Sequence, residues 1–392
     1  MRKGSFLLLL SQQIFVPMLL TCRVGRCFVG RPAGRRESQR RLFSLAAEAT
    51  AESRRKKRVV FLGTPAVAAA TLEMLLKAST TNDFSVVACV SQPAAPKGRK
   101  KQLQSSDVAL LAEQLGVEVI LTPPTARDAY FLKQMRLLEP DLCVTAAYGQ
   151  FLPQAFLDIP KKGTWNIHPS LLPKWRGAAP LQRSLEHGDT TVGVTVLQTV
   201  LAMDAGPIVA QVERPVTDDD ASADDLLREL FATGADLLVD NLPRLWDDTI
   251  TYADQDHDQA TKAHKLDAKE AKLELHLDDD RNDDRSVAAR ARDKVRAFAP
   301  WPGTWVNVRR GDDDAEPQRL KVLAARLYDD AAGSDDDRAS VVTLAPDGAL
   351  LAPCADGSIL AIRRVQPANG KPMDAAAYWN GLRGEPLRIV HD

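Results

Sequence analysis

Asn166 and His168 are the two side chains whose types and spacing best suit chemistry in this sequence. They stand two residues apart in a short extended segment that Pro169 ends, so in a strand both point to the same face. A carboxamide and an imidazole presented together can hold an oxyanion while a proton moves. Asp204, 36 residues after His168, can supply a carboxylate to the same site. The spacing of the pair alone also fits two strand-end residues that cap a turn.

An alternation of strands and helices predicts the scaffold that positions this pair. The alternating segments are 59–62, 66–77, 85–90, 107–115, 117–121, 126–138 and 142–147. Strands separated by helices of about ten residues are typical of a parallel sheet with helical crossovers. Further strands are expected on both sides of Asp204. We therefore predict an α/β domain over residues 58–245.

The remainder of the chain has a different pattern. Residues 246–270 are polar and are expected to form a linker. From residue 271 to residue 392, short β-rich segments are separated by acidic tracts and glycine turns. Evenly spaced short strands are typical of a small barrel, so a second, β-barrel domain is predicted there.

The first 57 residues are predicted to be a targeting leader. Residues 1–58 carry 14 Lys and Arg against three acidic residues, a net charge of +11, whereas the remaining residues carry 37 basic and 49 acidic side chains. A basic segment with few acidic residues before an acidic body is typical of an organelle transit peptide. We expect the mitochondrial matrix, with a plastid as the alternative. The apolar run near the start is interrupted by polar residues and Pro17, so no membrane span is expected.

The five cysteines and six histidines give no metal-binding spacing. We therefore expect no metal and reduced thiols. A monomer is also expected.

Residues 164–184 resemble the folate-dependent formyltransferases. They contain Asn-x-His followed by Ser-Leu-Leu-Pro, and Asp-x-Gly follows at residues 204–206. The continuation Lys-Trp-Arg-Gly-Ala-Ala-Pro-Leu-Gln-Arg-Ser, residues 174–184, is more similar to methionyl-tRNA formyltransferases than to glycinamide ribonucleotide formyltransferases. Residues 264–271 and 295–305 resemble the joint and the entry of the C-terminal domain in that family. The resemblance covers about residues 58–390.

The resemblance implies transfer of a formyl group from 10-formyl-tetrahydrofolate, as co-substrate, to the α-amino group of methionyl-initiator tRNA. Because the nucleophile then belongs to the substrate, the enzyme needs no Ser or Cys nucleophile. Asn166, His168 and Asp204 are implied to be catalytic. The implied fold is a doubly wound, mostly parallel sheet followed by a small, open, OB-like β-barrel that helps to hold tRNA.

Three segments are implied to bind the substrates. The residues implied to contact the folate are Tyr148, Gly149, Gln150, Phe151, Leu152, Pro153, Ser170, Leu171, Leu172 and Pro173. A loop after the second strand matches the one with which the family contacts the acceptor end of the tRNA. Its implied contact residues are Lys97, Arg99, Lys100 and Lys101. Four cations in five residues also indicate phosphate contact on charge alone.

Two other functions fit the same catalytic trio. One is a formyltransferase for a sugar nucleotide or another small amine, which would not need the basic loop. The other is an inactive folate- or RNA-binding homologue, which the intact trio disfavours. Residues 251–392 carry 21 basic against 26 acidic residues, so tRNA binding there would depend on a local basic stripe. The candidates for that stripe are Arg290, Arg292, Lys294, Arg296, Arg309 and Arg310.

Overall fold

The computed structural model describes residues 55–98, 101–216, 222–276, 283–311, 314–328 and 341–390. The predicted leader up to residue 54 lies outside the described residues. Residues 56–392 form one compact unit. Within the described ranges, no helix combines the length and the hydropathy needed to cross a membrane.

The strands before the barrel lie mainly in one central sheet. They are β1 (Lys57–Gly63), β2 (Phe84–Val90), β3 (Ala95–Lys97), β4 (Gln102–Gln104), β5 (Ile120–Leu121), β6 (Leu142–Ala146), β7 (Thr164–His168), β8 (Arg176–Gly177), β9 (Thr191–Gln198), β10 (Ile208–Pro215) and β11 (Lys262–Ala263). The sheet has the order β10-β9-β7-β6-β1-β2-β5. Its pairings from β7 to β5 are parallel, and β9 and β10 join antiparallel.

Helices cover both faces of this sheet. They are α1 (Ala66–Ala78), α2 (Asp107–Gln114), α3 (Ala129–Leu137), α4 (Gln154–Leu157), α5 (Pro180–His187) and α6 (Ala223–Trp246). Two later helices, α7 (Val287–Phe298) and α8 (Ala375–Gly381), contribute to the core of the C-terminal domain. Along β1, Val59 and Phe61 pack into one hydrophobic cluster with α1 and α6. Val60 and Leu62 pack into a second cluster with α3 and α4. A strand buried on both faces is apolar throughout, which is why β1 shows no polar alternation.

The strand order indicates where a ligand would bind on this sheet. The chain moves from β1 to β2 and β5 on one side, and then returns to β6 on the other side of β1. In open parallel sheets, ligands bind outside the carboxyl ends of strands at such a reversal. The loop after β6 and the end of β7 both lie at this edge. The predicted doubly wound α/β sheet is thus confirmed.

The C-terminal strands form the predicted barrel. They are β12 (Thr304–Arg310), β13 (Gln318–Leu327), β14 (Val341–Leu344), β15 (Leu350–Pro353), β16 (Ile359–Pro367), β17 (Met373–Asp374) and β18 (Leu387–Val390). Six of them follow the order β13-β12-β18-β14-β15-β16, and a ladder between β13 and β16 closes the ring. The OB-like barrel was expected to be open, and this ladder is what closes it. Its core includes Leu273 and Leu275, which precede α7.

The segment expected to be a linker takes part in the structure next to the site. β11 pairs in parallel with β8, which follows the turn after His168. Gly177 of β8 has a φ of 135°, and a Cβ there would lie 2.4 Å from the carbonyl oxygen of Ala263. This close approach requires glycine, because any side chain would push the two strands apart. Gln255, from the same segment, is also buried.

Candidate active site

Strand β7 presents Asn166 at the carboxyl edge of the sheet. Asn166 pairs with Thr145 of β6, and the Thr145 hydroxyl donates to its Oδ1 atom at 2.8 Å. The same hydroxyl lies 3.3 Å from the carbonyl oxygen of Trp165. Because a donor already occupies the oxygen of the carboxamide, the Nδ2 group is the end that can donate to a substrate. Thr145 thereby orients Asn166 as a hydrogen-bond donor.

His168, on the same face of β7, has its tautomer set by a backbone carbonyl. The side chain is buried, with 4% of the residue exposed, and Nε2 lies 3.1 Å from the carbonyl oxygen of Trp175. A carbonyl only accepts, so the proton of the neutral ring lies on Nε2 and Nδ1 carries the lone pair. Trp175 is itself fixed, because its indole Nε1 donates to Oδ2 of Asp189 at 2.7 Å. Nδ1 is therefore the nitrogen that can take a proton.

Asp204 reaches this pair from the loop between β9 and β10. Its φ is 51°, in the left-handed region that aspartate tolerates better than most residues. Oδ2 accepts the amide hydrogen of Gly177 at 2.9 Å, and Oδ1 lies 3.8 Å from Nδ1 of His168. The second distance is an ion-pair distance and longer than a hydrogen bond. The fold thus assembles the three residues that the sequence analysis selected as catalytic.

The loop after β6 follows a constrained backbone path. Ala147 and Gly149 have φ values of 45° and 81°. A Cβ at Gly149 would lie 2.4 Å from Nε2 of Gln92, which donates to the carbonyl oxygen of Tyr148 at 3.0 Å. Tyr148 itself packs into the core, and burial raises the pKa of its phenol to about 12. Within this loop, Tyr148 is a core residue, and its buried side chain anchors the loop to the hydrophobic core.

The rest of this loop divides into anchored and exposed residues. Oε1 of Gln150 accepts the amide hydrogen of Ala126 at 2.7 Å, and Leu152 is buried. Pro153 precedes the first residue of α4. Phe151, in contrast, is 49% exposed. An exposed aromatic ring on an anchored loop can pack against a planar ligand.

Two polar side chains, Thr195 and Gln211, donate hydrogen bonds to the backbone of the turn after His168. Thr195, which pairs with His168 across β7 and β9, donates to the carbonyl oxygen of Ser170 at 2.7 Å. Nε2 of Gln211 donates to both Thr195 and the carbonyl oxygen of Leu172, each at 2.8 Å. Ser170 and Leu172 are buried, whereas Leu171 and Pro173 are half-buried. The latter two are the residues of this turn that a bound molecule reaches more readily.

The basic loop lies on a projecting hairpin formed by β3 and β4. Every residue of the two strands is exposed, and Leu103 is 73% exposed. Lys97 forms an ion pair with Asp107, with Nζ and Oδ1 3.2 Å apart, and Lys101 is exposed. The loop residues Arg99 and Lys100 lie outside the described residues. The described part is an exposed arm with little packing of its own.

Much of the expected basic stripe is engaged within the barrel domain. Asp293 of α7 is fully buried, and its carboxylate forms ion pairs with Arg292 at 2.8 Å and with Arg296 at 2.9 Å. Arg310 pairs with Glu385 at 2.5 Å. These arginines therefore compensate carboxylates of the same domain, and the buried charge of Asp293 requires such partners. They do not form a free stripe for a phosphate backbone.

The two cysteines of the central sheet, Cys89 in β2 and Cys143 in β6, are buried and unreactive. Burial raises the pKa of the Cys89 thiol to about 12 and raises the pKa of Cys143 as well. The thiolate is the reactive form of cysteine, so these two residues have no means of acting as nucleophiles near neutral pH.

Four polar residues of the site were missed by the sequence analysis. They are Thr145, Thr195, Gln211 and Gln255. A polar residue inside an apolar strand was a visible signal for Thr145 and Thr195. No local pattern marks Gln211 or Gln255, because their partners are far away in the sequence.

Family models match both parts of the chain. The model described as formyl transferase matches residues 57–242, and the model described as formyl transferase, C-terminal domain, matches residues 285–383. Among solved structures, HypX from Aquifex aeolicus in complex with tetrahydrofolic acid superposes with a TM-score of 0.54 at 16% identity. That superposition covers 84% of this chain and 48% of HypX. An N-formyltransferase from Helicobacter canadensis, in complex with folinic acid and dTDP-3-aminofucose, gives 0.54 at 15% identity, covering 80% and 100%. At these identities the structural likeness shows the fold.

Sequence relatives extend over both domains. The methionyl-tRNA formyltransferase of Pseudomonas paraeruginosa is 39% identical over 326 residues, which covers 83% of this chain and 96% of the relative. That of Halorhodospira halophila is 38% identical over 334 residues, covering 84% and 99%. The catalytic domain, the barrel and the segment between them are therefore shared with these enzymes, and this chain belongs to the methionyl-tRNA formyltransferase family.

Proposed function

We propose that this enzyme transfers the formyl group of 10-formyl-tetrahydrofolate to the α-amino group of methionyl-initiator tRNA, and that it does so in an organelle. The observation that carries the proposal is the convergence of Asn166, His168 and Asp204 at the carboxyl edge of the sheet. The two relatives reported above are named for this activity, and this chain aligns with nearly their whole length.

The reaction requires one bond to form and one to break. The amine nitrogen attacks the formyl carbon to give a tetrahedral oxyanion, and the bond between that carbon and N10 of the folate then breaks. One proton leaves the amine and one reaches N10, so the reaction is balanced without another reactant. An α-amino group titrates near pH 8, so its deprotonation is not demanding. Positioning two large substrates contributes much of the acceleration.

Each residue of the trio has one role in this scheme. Asn166 donates through Nδ2 to the oxyanion, because Thr145 occupies its Oδ1 atom. His168 receives a proton at Nδ1 and passes it on, since Nε2 is engaged by the carbonyl of Trp175. Asp204 stabilises the positive charge that develops on the ring, from 3.8 Å away.

The folate co-substrate is proposed to bind at the loop after β6. The constrained turn at Ala147 and Gly149 brings the backbone to the carboxyl edge of the sheet, where donors and carbonyls can meet a heterocycle. Phe151 offers an exposed ring beside it. Leu171 and Pro173, on the turn after His168, are proposed to complete the apolar part of this site.

The tRNA is proposed to contact the β3–β4 hairpin and the barrel. Lys97, Arg99, Lys100 and Lys101 are the proposed contacts of the hairpin. On the barrel, Arg319 and Lys321 are exposed on β13 and line a groove of about 480 Å³ with the turn at residues 366–370. Arg319 lies over the ring of Trp305, 4.0 Å from its centroid, which leaves a flat cationic surface suited to RNA.

The leader supports an organellar location, with the mitochondrial matrix proposed first and a plastid second. Residues 1–58 carry a net charge of +11, and the body that follows carries an excess of acidic residues. Organelle translation would supply the initiator tRNA. The proposed functional form is a monomer.

A single-turnover assay tests the proposed reaction. The purified chain is mixed with 10-formyl-tetrahydrofolate and with methionyl-initiator tRNA, uncharged tRNA, or a 3-amino sugar nucleotide. Formylation of the charged tRNA alone is expected. Faster transfer to the sugar amine would replace the proposal with a small-amine formyltransferase, and no transfer to any acceptor would indicate an inactive homologue.

A further inference from the structure

Gln255 connects the segment between the two domains to the catalytic loop. It is buried, with 6% of the residue exposed. Its Nε2 group donates to the carbonyl oxygens of Asp204, at 2.9 Å, and of Gly206, at 2.6 Å. Both hydrogens of the carboxamide are thus used on the backbone that carries the catalytic carboxylate.

The other end of the carboxamide holds the opposite wall of the site. Oε1 of Gln255 accepts from Nη2 of Arg176 at 2.7 Å and from Nε at 3.1 Å. Arg176 stands between Trp175, whose carbonyl engages His168, and Gly177, whose amide engages Asp204. One buried side chain therefore joins the Asp204 loop to residues 175–177, whose backbone contacts both His168 and Asp204.

The Asp204 loop requires such support. The left-handed region is unfavourable for a residue with a side chain, so the φ of 51° at Asp204 depends on contacts with its surroundings. At Gly206, a Cβ would lie 1.8 Å from the carbonyl oxygen of Gln198, so the loop also fits tightly against the end of β9. The two bonds from Gln255 flank this constrained stretch.

We infer that Gln255 is a positioning residue for the proposed formyl transfer, and that it acts by fixing Asp204 relative to His168 through its bonds to the loop and to Arg176. The inference rests on the proposed function for its kinetic consequences. Its structural consequence, an ordered Asp204 loop, does not depend on the identity of the substrate.

The kinetic test compares Gln255→Ala, Gln255→Glu and the unaltered full chain. Removing the side chain is expected to lower kcat about tenfold to a hundredfold, as small misplacements of catalytic groups do. KM for both substrates is expected to stay within about twofold. Gln255→Glu keeps oxygens for Arg176 but loses both donors to the loop, so it should resemble Gln255→Ala. Gln259→Ala, at an exposed glutamine four residues later, is the matched control and should retain the normal kcat.

A double-mutant cycle separates positioning from a general structural effect. If Gln255 acts through Asp204, then adding Gln255→Ala to Asp204→Ala should change kcat by less than about twofold. A full, multiplicative loss in the double variant would overturn the inference.

Hydrogen exchange of the intact chain supplies a readout that needs no substrate. In Gln255→Ala, amides of residues 199–206 should exchange at least about tenfold faster, while β7, α6 and the barrel keep their protection. Unchanged exchange in this loop, or faster exchange throughout the protein, would overturn the positioning role. An unaltered chain that transfers no formyl group would count against the proposed function, and the exchange result would still decide the role of Gln255.

Discussion

The carboxylate of Asp204 lies 3.8 Å from the imidazole of His168, measured from Oδ1 to Nδ1. Its other oxygen accepts the amide hydrogen of Gly177, in the strand that follows the turn after His168. His168 ends strand β7, whereas Asp204 lies in the loop between β9 and β10. The carbonyl of Trp175 contacts His168 and the amide of Gly177 contacts Asp204, so the backbone of residues 175–177 connects the two side chains. The relative position of acid and base is therefore set by main-chain contacts as well as by the side chains.

Thr145→Val should lower kcat about tenfold, with KM for both substrates almost unchanged. The substitution keeps the shape of the side chain but removes the hydroxyl that occupies Oδ1 of Asn166, so the carboxamide is free to rotate. One hydrogen bond contributes up to about 1.5 kcal/mol, and about 1.4 kcal/mol corresponds to tenfold in rate. Steady-state kinetics with both substrates provide the measurement. Thr145→Ser keeps the hydroxyl and should behave normally, and a normal kcat for the valine variant would show that the bond does not orient Asn166.

The buried thiols should resist alkylation in the native protein, and treatment with the alkylating reagent should leave formyl transfer unchanged. A pKa near 12 leaves only about one Cys89 thiol in ten thousand ionised at pH 8, and only the thiolate reacts. Burial likewise raises the pKa of Cys354 to about 12. Peptide mapping after iodoacetamide treatment at pH 8 should show Cys89, Cys143 and Cys354 unmodified in the native protein and modified after unfolding. Rapid labelling of native Cys143 with loss of formyl transfer would instead indicate a thiol that takes part in the reaction.

Replacing Arg99, Lys100 and Lys101 with glutamine should weaken tRNA use and leave folate binding unchanged. Each lost phosphate contact flattens the slope of log affinity against log salt by a little under one unit. The measurement is KM for tRNA between about 50 and 200 mM salt, a range in which such contacts have large effects. Exchanging the exposed cations Lys77, Lys133 and Arg136 removes the same charge and is the control.

The same experiment extends to the barrel. Arg319→Gln combined with Lys321→Gln should flatten the salt slope independently of the hairpin variant, if both surfaces contact one tRNA. An unchanged slope in the hairpin variant would mean that this arm is only a solvated turn, and the small-amine alternative would then be favoured.

Removal of residues 1–52 should leave formyl transfer by the purified enzyme unchanged and abolish import into the organelle. The described fold begins with β1 at Lys57, so the deletion ends before the first strand. Localisation of a fluorescent fusion and assay of the purified protein are the two measurements. Loss of activity on deletion would mean that the leader belongs to the fold. Unchanged import would mean that the targeting signal lies in another part of the chain.

The elements near the site could largely be predicted from local patterns. The helix expected at residues 66–77 is α1, which spans Ala66–Ala78, because its apolar face repeats with helical spacing. The pair Asn166 and His168 was placed correctly on one face, since alternation in a strand is a local property.

Contacts between distant segments were not predictable from one sequence. The bond from Gln255 to the carbonyl of Asp204 joins residues 51 apart, and the pairing of β8 with β11 joins Arg176 to Lys262, which is 86 residues later. The hairpin of β3 and β4 was expected to be a plain loop, because each of its strands is only three residues long and shows no extended apolar alternation. Closure of the barrel through β13 and β16 is likewise decided by packing of the whole domain.

The rate of a single turnover in His168→Ala is the decisive test of the proposed role of the imidazole. With 10-formyl-tetrahydrofolate and methionyl-initiator tRNA at saturating concentrations, we expect a rate constant at least about a hundredfold below that of the unaltered enzyme. Asn166→Ala and Asp204→Ala should show similar losses, and pairs of these changes should cost little more than one, because the residues act as a unit. Binding of both substrates should persist in each variant. A near-normal rate constant in His168→Ala would show that formyl transfer does not require this imidazole.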